Sequence, residues 1–144
     1  MGEENPIRSK DSGISRFRPL PAELGPLSAS IVGAALKVHK ALGPGLLESV
    51  YERCLCHELT CRGVPFQSQV ALPVLYEGIR IDSGLRIDMI VGGRIIVELK
   101  AAEIMHPVYT AQILTYLKLT GLRLGMLVNF NVPMIRDGIR RIIL

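Results

Sequence analysis

The stretch Ile87-Asp88-Met89-Ile90-Val91-Gly92-Gly93-Arg94-Ile95-Ile96-Val97-Glu98-Leu99-Lys100 decides how this chain folds. Two runs rich in β-branched residues flank a glycine pair, which is the pattern of a hairpin. Asp88, Glu98 and Lys100 stand in otherwise apolar strands, where an unpaired ion costs several kcal/mol. They are therefore expected to be paired, to hold a cation, or to sit at a strand end. Glu98 and Lys100 are two apart and share one face of a strand. A two-residue Gly92-Gly93 turn would oppose Asp88 to Val97 and leave Glu98 on the other face. A three-residue loop Gly92-Gly93-Arg94, with a glycine at positive φ, opposes Asp88 directly to Glu98. The longer loop, or an equivalent bulge, is the expectation, and it brings two carboxylates and an ammonium to one spot.

Working outward, residues 70–76, 79–81, 85–91 and 94–99 read as strands separated by Glu77-Gly78, Ser83-Gly84 and Gly92-Gly93, an antiparallel meander. Upstream, Ile31, Val32, Ala35, Leu36, Val38, Ala41 and Leu42 recur at helical spacing behind Ser28, a residue suited to the cap. Gly43-Pro44-Gly45 ends that helix. A second follows through Leu46, Leu47, Val50, Tyr51, Leu55 and Leu59, stops before Gly63 and Pro65, and carries Glu48. Downstream of Pro107, residues 108–119 return to helical spacing. The almost wholly apolar run from Leu124 to Phe130 reads as a central strand covered on both faces. A short last element spans residues 139–144. The fold class is α/β, a mixed β-sheet flanked by helices. Residues 1–25 show neither period and read as a flexible arm, leaving 26–144 as a single domain.

The length of 144 residues allows one domain with a genuine core. Apolar residues make up 49% and aromatic residues only 5%, so the core is aliphatic. No uninterrupted apolar run is long enough to span a bilayer and the N-terminus lacks an apolar signal core, so no membrane association is expected and a cytoplasmic location is. Cys54, Cys56 and Cys61 form an odd, clustered set that reads as reduced thiols; Cys54 and Cys61 fall on similar helical faces and are expected in the core. A net charge of +4, from 17 basic and 13 acidic residues, is compatible with a polyanionic partner without demanding one.

The opposed carboxylates would repel each other unless a cation sat between them. Hard oxygen ligands with room for water suit Mg²⁺ or Mn²⁺. Such an ion lowers the pKa of bound water and stabilises charge developing on a phosphodiester, with Lys100 placed to orient or deprotonate that water. An ordinary cross-strand salt bridge is the structural alternative.

Asp88 followed by Glu98-Leu99-Lys100 resembles the D…(D/E)xK signature of the PD-(D/E)XK nuclease superfamily. Gly45-Leu46-Leu47-Glu48-Ser49-Val50-Tyr51 resembles the motif that names the GxxExxY protein family, and the likeness runs from about Ser28 to Leu144. The resemblance implies a restriction-endonuclease-like core of order αβββαβ and a metal-dependent nuclease, with nucleic acid, DNA first, as partner. In it Asp88, Glu98 and Glu48 would hold Mg²⁺ or Mn²⁺, Glu48 directly or through water, and Lys100 would join them in catalysis. Tyr51 would face the same side one turn after Glu48, although core packing explains it equally well. Gln112-Ile113-Leu114-Thr115-Tyr116 resembles the Q-x-x-x-Y motif of the RecB-like and lambda-exonuclease-like branches, which implies that Gln112 and Tyr116 position the DNA strand.

Tyr109 stands where related sequences often carry His, and the resemblance implies that His39 on the first helix could reach the metal, as an upstream histidine does in some RecB-like nucleases. An iron–sulfur cluster needs four thiolates, and this chain has three, so none is expected. Arg80, Arg86, Arg94, Arg136, Arg140 and Arg141 are candidates for phosphate contacts. The small size offers no separate specificity domain, so a homo-oligomer or a partner protein would complete the substrate groove. The rival readings are a non-catalytic nucleic-acid- or protein-binding module on this fold, and a nuclease acting on RNA.

Overall fold

The computed structural model describes residues 19–144; positions 1–18 of the expected arm lie outside the described residues. The chain runs through α1 (Leu24–Leu42), α2 (Glu48–Cys61), β1 (Phe66–Tyr76), β2 (Ile79–Val91), β3 (Ile95–Lys100), α3 (Pro107–Thr120), β4 (Leu124–Asn129), a 3-10 turn (Ile135–Gly138) and β5 (Ile139–Ile143). The strands form one sheet in the order β1-β2-β3-β4-β5. β1, β2 and β3 are an antiparallel meander, β3 and β4 run parallel across the α3 crossover, and β5 returns antiparallel to β4.

Helices α1 and α2 cover one face. Ile31, Ala34, Ala35 and Val38 of α1 and Tyr51, Leu55 and Leu59 of α2 pack there against Met89, Val91, Ile95, Val97 and Leu99. On the other face Ile113, Tyr116 and Leu117 of α3 pack against Ile87, Ile96, Leu127 and Ile142. Covered on both sides, β4 is buried throughout, the arrangement that makes a strand read as a continuous apolar run. No helix among the described residues is long and apolar enough to cross a membrane.

Three local expectations need correction. Ser28 does not cap α1, which starts at Leu24, because Leu24 is itself a core residue and Pro26 is tolerated in a first helical turn. Ser28 is instead buried, with its hydroxyl 3.8 Å from the Met126 sulfur. The segments 79–81 and 85–91 are one strand, not two. The ladder shifts between Ala71 and Pro73, and the break is absorbed by Gly84 at φ +68° and by the Ser83 hydroxyl, which donates to the Leu72 carbonyl and accepts the Leu85 N–H. Finally, β1 begins at Phe66, earlier than Val70, because Gln67, Ser68 and Gln69 are polar residues in a paired strand.

Gly125 shows how closely α3 sits on the sheet, since a Cβ there would strike the Ile113 side chain. Gly125→Ala is expected to destabilise the fold by about 2 kcal/mol through overpacking against Ile113 Cγ2, and to cost less in an Ile113→Ala background, where that methyl is gone. Thermal denaturation of the two single variants and the double variant checks this; strictly additive losses would show that α3 does not meet the sheet here.

Candidate active site

The β2–β3 hairpin turns on Gly92, Gly93 and Arg94, with both glycines at positive φ and Val91 paired to Ile95, Ile90 to Ile96 and Met89 to Val97. Continued one step, this register opposes Asp88 to Glu98. Here the carboxylates replace the regular ladder. Glu98 Oε1 accepts the Asp88 N–H at 3.0 Å, and Asp88 Oδ2 accepts the Leu99 N–H at 2.9 Å. Side-chain alternation also breaks at Asp88. Ile87 packs on the α3 side and Met89 on the α1/α2 side, although two residues apart in one strand. Across the ladder, between the Val70–Ile87 and Ser68–Met89 pairs, lies Gln69 at φ +52°, a costly conformation for a non-glycine residue.

Glu98 is only 5% exposed. Burial is the main cause pushing its carboxyl up to about 8, and repulsion from the Asp88 carboxylate is the next. The Asp88 N–H pulls the other way, a hydrogen bond to the Asp88 side chain adds to the rise, and Lys100 opposes it. Without a cation the Glu98 carboxyl therefore holds a proton well above the usual carboxylate range. Lys100 follows on the same face at the end of β3, with its ammonium 4.5 Å from the centre of the Tyr109 ring, a cation–π distance.

Glu48 opens α2 and is exposed, yet its pKa is raised. Partial desolvation is the main cause, the charges of Asp88 and Glu52 add to it, and Lys100 opposes it. Its carboxyl thus shares the field of the hairpin charges. From α3, Tyr116 is 2% exposed. Its phenol is raised first by burial and then by Glu98 and Asp88, and Gln112 opposes the rise through a side-chain hydrogen bond. The fold thus gathers Asp88, Glu98, Lys100, Glu48, Tyr116 and Gln112 around the end of β3.

Two candidates face elsewhere. Tyr51 does not open onto this cluster: it is fully buried, stacked on Phe130 at 4.4 Å between ring centres, and its hydroxyl donates to the Gly43 carbonyl at 2.6 Å and accepts the Leu46 N–H at 3.1 Å. His39 Nε2 lies 2.8 Å from the Val132 carbonyl in a buried setting, engaged by backbone. Among the thiols, Cys54 and Cys56 pack against the core, whereas Cys61 is exposed, 3.5 Å from His57 Nε2, contrary to the core position expected for it.

Sequence reading left the segment Asn129-Phe130-Asn131-Val132-Pro133 without a role, and the structure supplies one. The buried Asn129 side chain accepts the Ala102 N–H at 3.1 Å and donates to the Ala102 carbonyl at 2.9 Å, extending strand-like pairing past Lys100. It also accepts the Asn131 N–H at 3.1 Å, and the Phe130 N–H donates to the Lys100 carbonyl at 2.9 Å. A polar Asn closing an apolar strand was the available signal; its partner lies 27 residues away.

The donor set suits a hard divalent cation. Burial and mutual repulsion make the two adjacent carboxyls hard to ionise together, and an ion between them would relieve that repulsion. Among the described residues no three His, Cys, Asp or Glu side chains enclose an ion by themselves. Mg²⁺ commonly takes only one or two protein carboxylates and completes its shell with water and substrate phosphate.

No curated protein and no solved structure matches the chain. A family model does match, the PD-(D/E)XK nuclease superfamily, over residues 26–142. That span takes in both hairpin carboxylates, Lys100, α2 and α3, and nucleases of this superfamily generally use divalent metals such as Mg²⁺. With its five-stranded mixed sheet, flanking helices and D…ExK hairpin, the chain belongs to the PD-(D/E)XK nuclease superfamily.

Proposed function

We propose that this protein is a Mg²⁺- or Mn²⁺-dependent nuclease that hydrolyses phosphodiester bonds of DNA. The observation that carries the reading is the pairing of the buried Glu98 with the half-buried Asp88, held in register by the three-residue loop and followed on the same face by Lys100. Two like-charged carboxyls are a poor structural pair and a good cation site. Asp88 and Glu98, with Glu48 directly or through water, would hold the ion, which would supply a water of lowered pKa and positive charge towards the phosphate.

The chain's own residues supply the rest. Lys100, steadied by Tyr109, orients or deprotonates the attacking water and offers positive charge to the phosphate. Gln112 and Tyr116 lie one turn apart on α3, Tyr116 in the field of the two carboxyls and hydrogen-bonded to Gln112, and together they position the strand. The Gly45–Tyr51 and Gln112–Tyr116 motifs support placing the chain with the GxxExxY family, in the RecB-like and lambda-exonuclease-like branch. DNA is favoured over RNA because the chain holds only 5% aromatic residues, and single-stranded RNA is commonly read by aromatic stacking. A partner protein or a second copy would complete the groove, in a cytoplasmic setting.

Cleavage of labelled linear and circular DNA with Mg²⁺, Mn²⁺ or EDTA tests this reading. Asp88→Asn, Glu98→Gln and Lys100→Met, each close to its parent in shape, are expected to lower the metal-dependent rate by about 10²-fold or more. Folded native chain that cuts neither single- nor double-stranded DNA with either metal would sink the proposal, and would favour a binding module or an RNA substrate.

The raised pKa of Glu98 adds a prediction about pH. The folded state holds the Glu98 proton up to about pH 8, while the unfolded chain releases it near its ordinary value of 4.5. Between those values the native state binds more protons, so stability falls as pH rises and levels off above about 8. The loss is expected to be on the order of a few kcal/mol, to vanish in Glu98→Gln, and to shrink with added Mg²⁺. Denaturation across this range in EDTA, with and without Mg²⁺, checks the sign; a stability that rises with pH equally in both chains would contradict it.

A further inference from the structure

We propose that Tyr51 is a positioning residue whose hydroxyl sets Glu48 in place by tying together the two ends of the linker that delivers it. The proposal rests on Glu48 belonging to the metal site and goes beyond that reading, since Tyr51 itself touches neither metal nor substrate.

The linker from Gly43 to Leu47 has little else to hold it. Gly43 and Gly45 stand at φ +70° and +97° around Pro44, so the backbone takes conformations that a relaxed chain of other residues would avoid. Leu46 and Leu47 are 41% and 74% exposed and give no packing anchor. α2 begins without a side-chain cap, and Leu47 occupies the N-cap position, where Ser, Thr, Asp or Asn would ordinarily fix the first turn. Against this, one buried phenol donates to the Gly43 carbonyl and accepts the Leu46 N–H. Both are linker groups, and Glu48 follows two residues after Leu46.

The ring end of Tyr51 is as firmly placed as the hydroxyl end. It stacks on Phe130 with the planes 7° apart, and the Phe130 N–H bonds the carbonyl of Lys100. Tyr51 and Phe130 therefore join the linker that carries Glu48 to the strand end that carries Lys100. A core Phe at position 51 would keep the stack and lose the tie. Hydrophobic packing alone gives no reason for a phenol here, whereas holding the linker does.

Tyr51→Phe separates the hydroxyl from the ring and leaves the core filled. Three measurements on the full chain test the proposal: thermal unfolding, amide hydrogen exchange of the metal-free protein, and Mn²⁺ binding by native chain, Tyr51→Phe, Glu48→Gln and the double variant. Thermal unfolding is expected to shift by only a few degrees, as for loss of one hydrogen bond. Exchange of the Leu46 amide and of the first turn of α2 is expected to quicken about tenfold, with the rest of the core unchanged. Mn²⁺ affinity should fall about as far as in Glu48→Gln, and the double variant should bind no more weakly than Glu48→Gln alone. Unchanged exchange at the linker overturns the proposal, as does a double variant whose losses add, because Tyr51 would then act independently of Glu48. If Glu48→Gln binds Mn²⁺ like the native chain, the assignment of Glu48 to the metal site fails instead, and the exchange result alone decides the tie.

Discussion

The structure depends on setting two carboxyl groups, one buried and one half-buried, side by side in an apolar sheet. Apart from Lys100 at its end, every other side chain of β3 is aliphatic and buried. Glu98 enters this environment opposite Asp88, and neither desolvation nor mutual repulsion favours the ionised pair. The fold answers with backbone N–H groups aimed at each carboxylate and with the ammonium of Lys100, and the Glu98 carboxyl still titrates above the usual range. Each answer needs the hairpin in one register. A slip by one residue would turn Glu98 to the opposite face, where Val97 and Leu99 already pack beneath α1 and α2.

The end of β3 is where the sheet permits such a site. β3 and β4 run parallel, their carboxyl ends open on the same edge, and ligands commonly gather beyond such ends in α/β sheets. The cost is that the chain leaving Lys100 must be held without a neighbouring strand on which to continue. Asn129 solves this by offering its side-chain amide to both backbone groups of Ala102, as a strand residue would. Phe130 completes the arrangement, bonded to Lys100 through its N–H and stacked under Tyr51 through its ring. The segment from Asn129 to Val132 thus anchors Lys100, the linker before Glu48 and, through His39, the end of α1.

Those features of the site that depend on period and short spacing were legible in the sequence. The three-residue glycine loop, the shared face of Glu98 and Lys100, and the helical placement of Gln112 with Tyr116 all follow from local rules. Ser83-Gly84 was misleading because a glycine beside a hydroxyl residue reads equally as a turn or as a bulge; only the pairing of β1 across it decides. Gln67-Ser68-Gln69 hid the start of β1 because polar residues at a sheet edge carry no apolar alternation. The roles of Asn129 and His39, and the partners of the Tyr51 hydroxyl, were out of reach for another reason. Each is defined by a backbone partner, and for Asn129 and His39 that partner lies 27 and 93 residues away.

Stability and function pull against each other at this site, and the raised pKa of Glu98 expresses the balance. A sheet selected for stability alone would place an apolar residue at 98 and lose the burial cost, since apolar substitution of buried ionic groups is often neutral or stabilising. Retaining the acid pair makes sense when an ion binds in the proton's place, because binding to the folded state alone stabilises it. The strained Gln69 opposite Asp88 follows the same logic, a local cost at the point where alternation breaks to bring two carboxyls together. Because carboxyls and ammonium alike are fixed by backbone bonds and ring contacts before any ion or substrate arrives, little reorganisation remains at the moment of reaction.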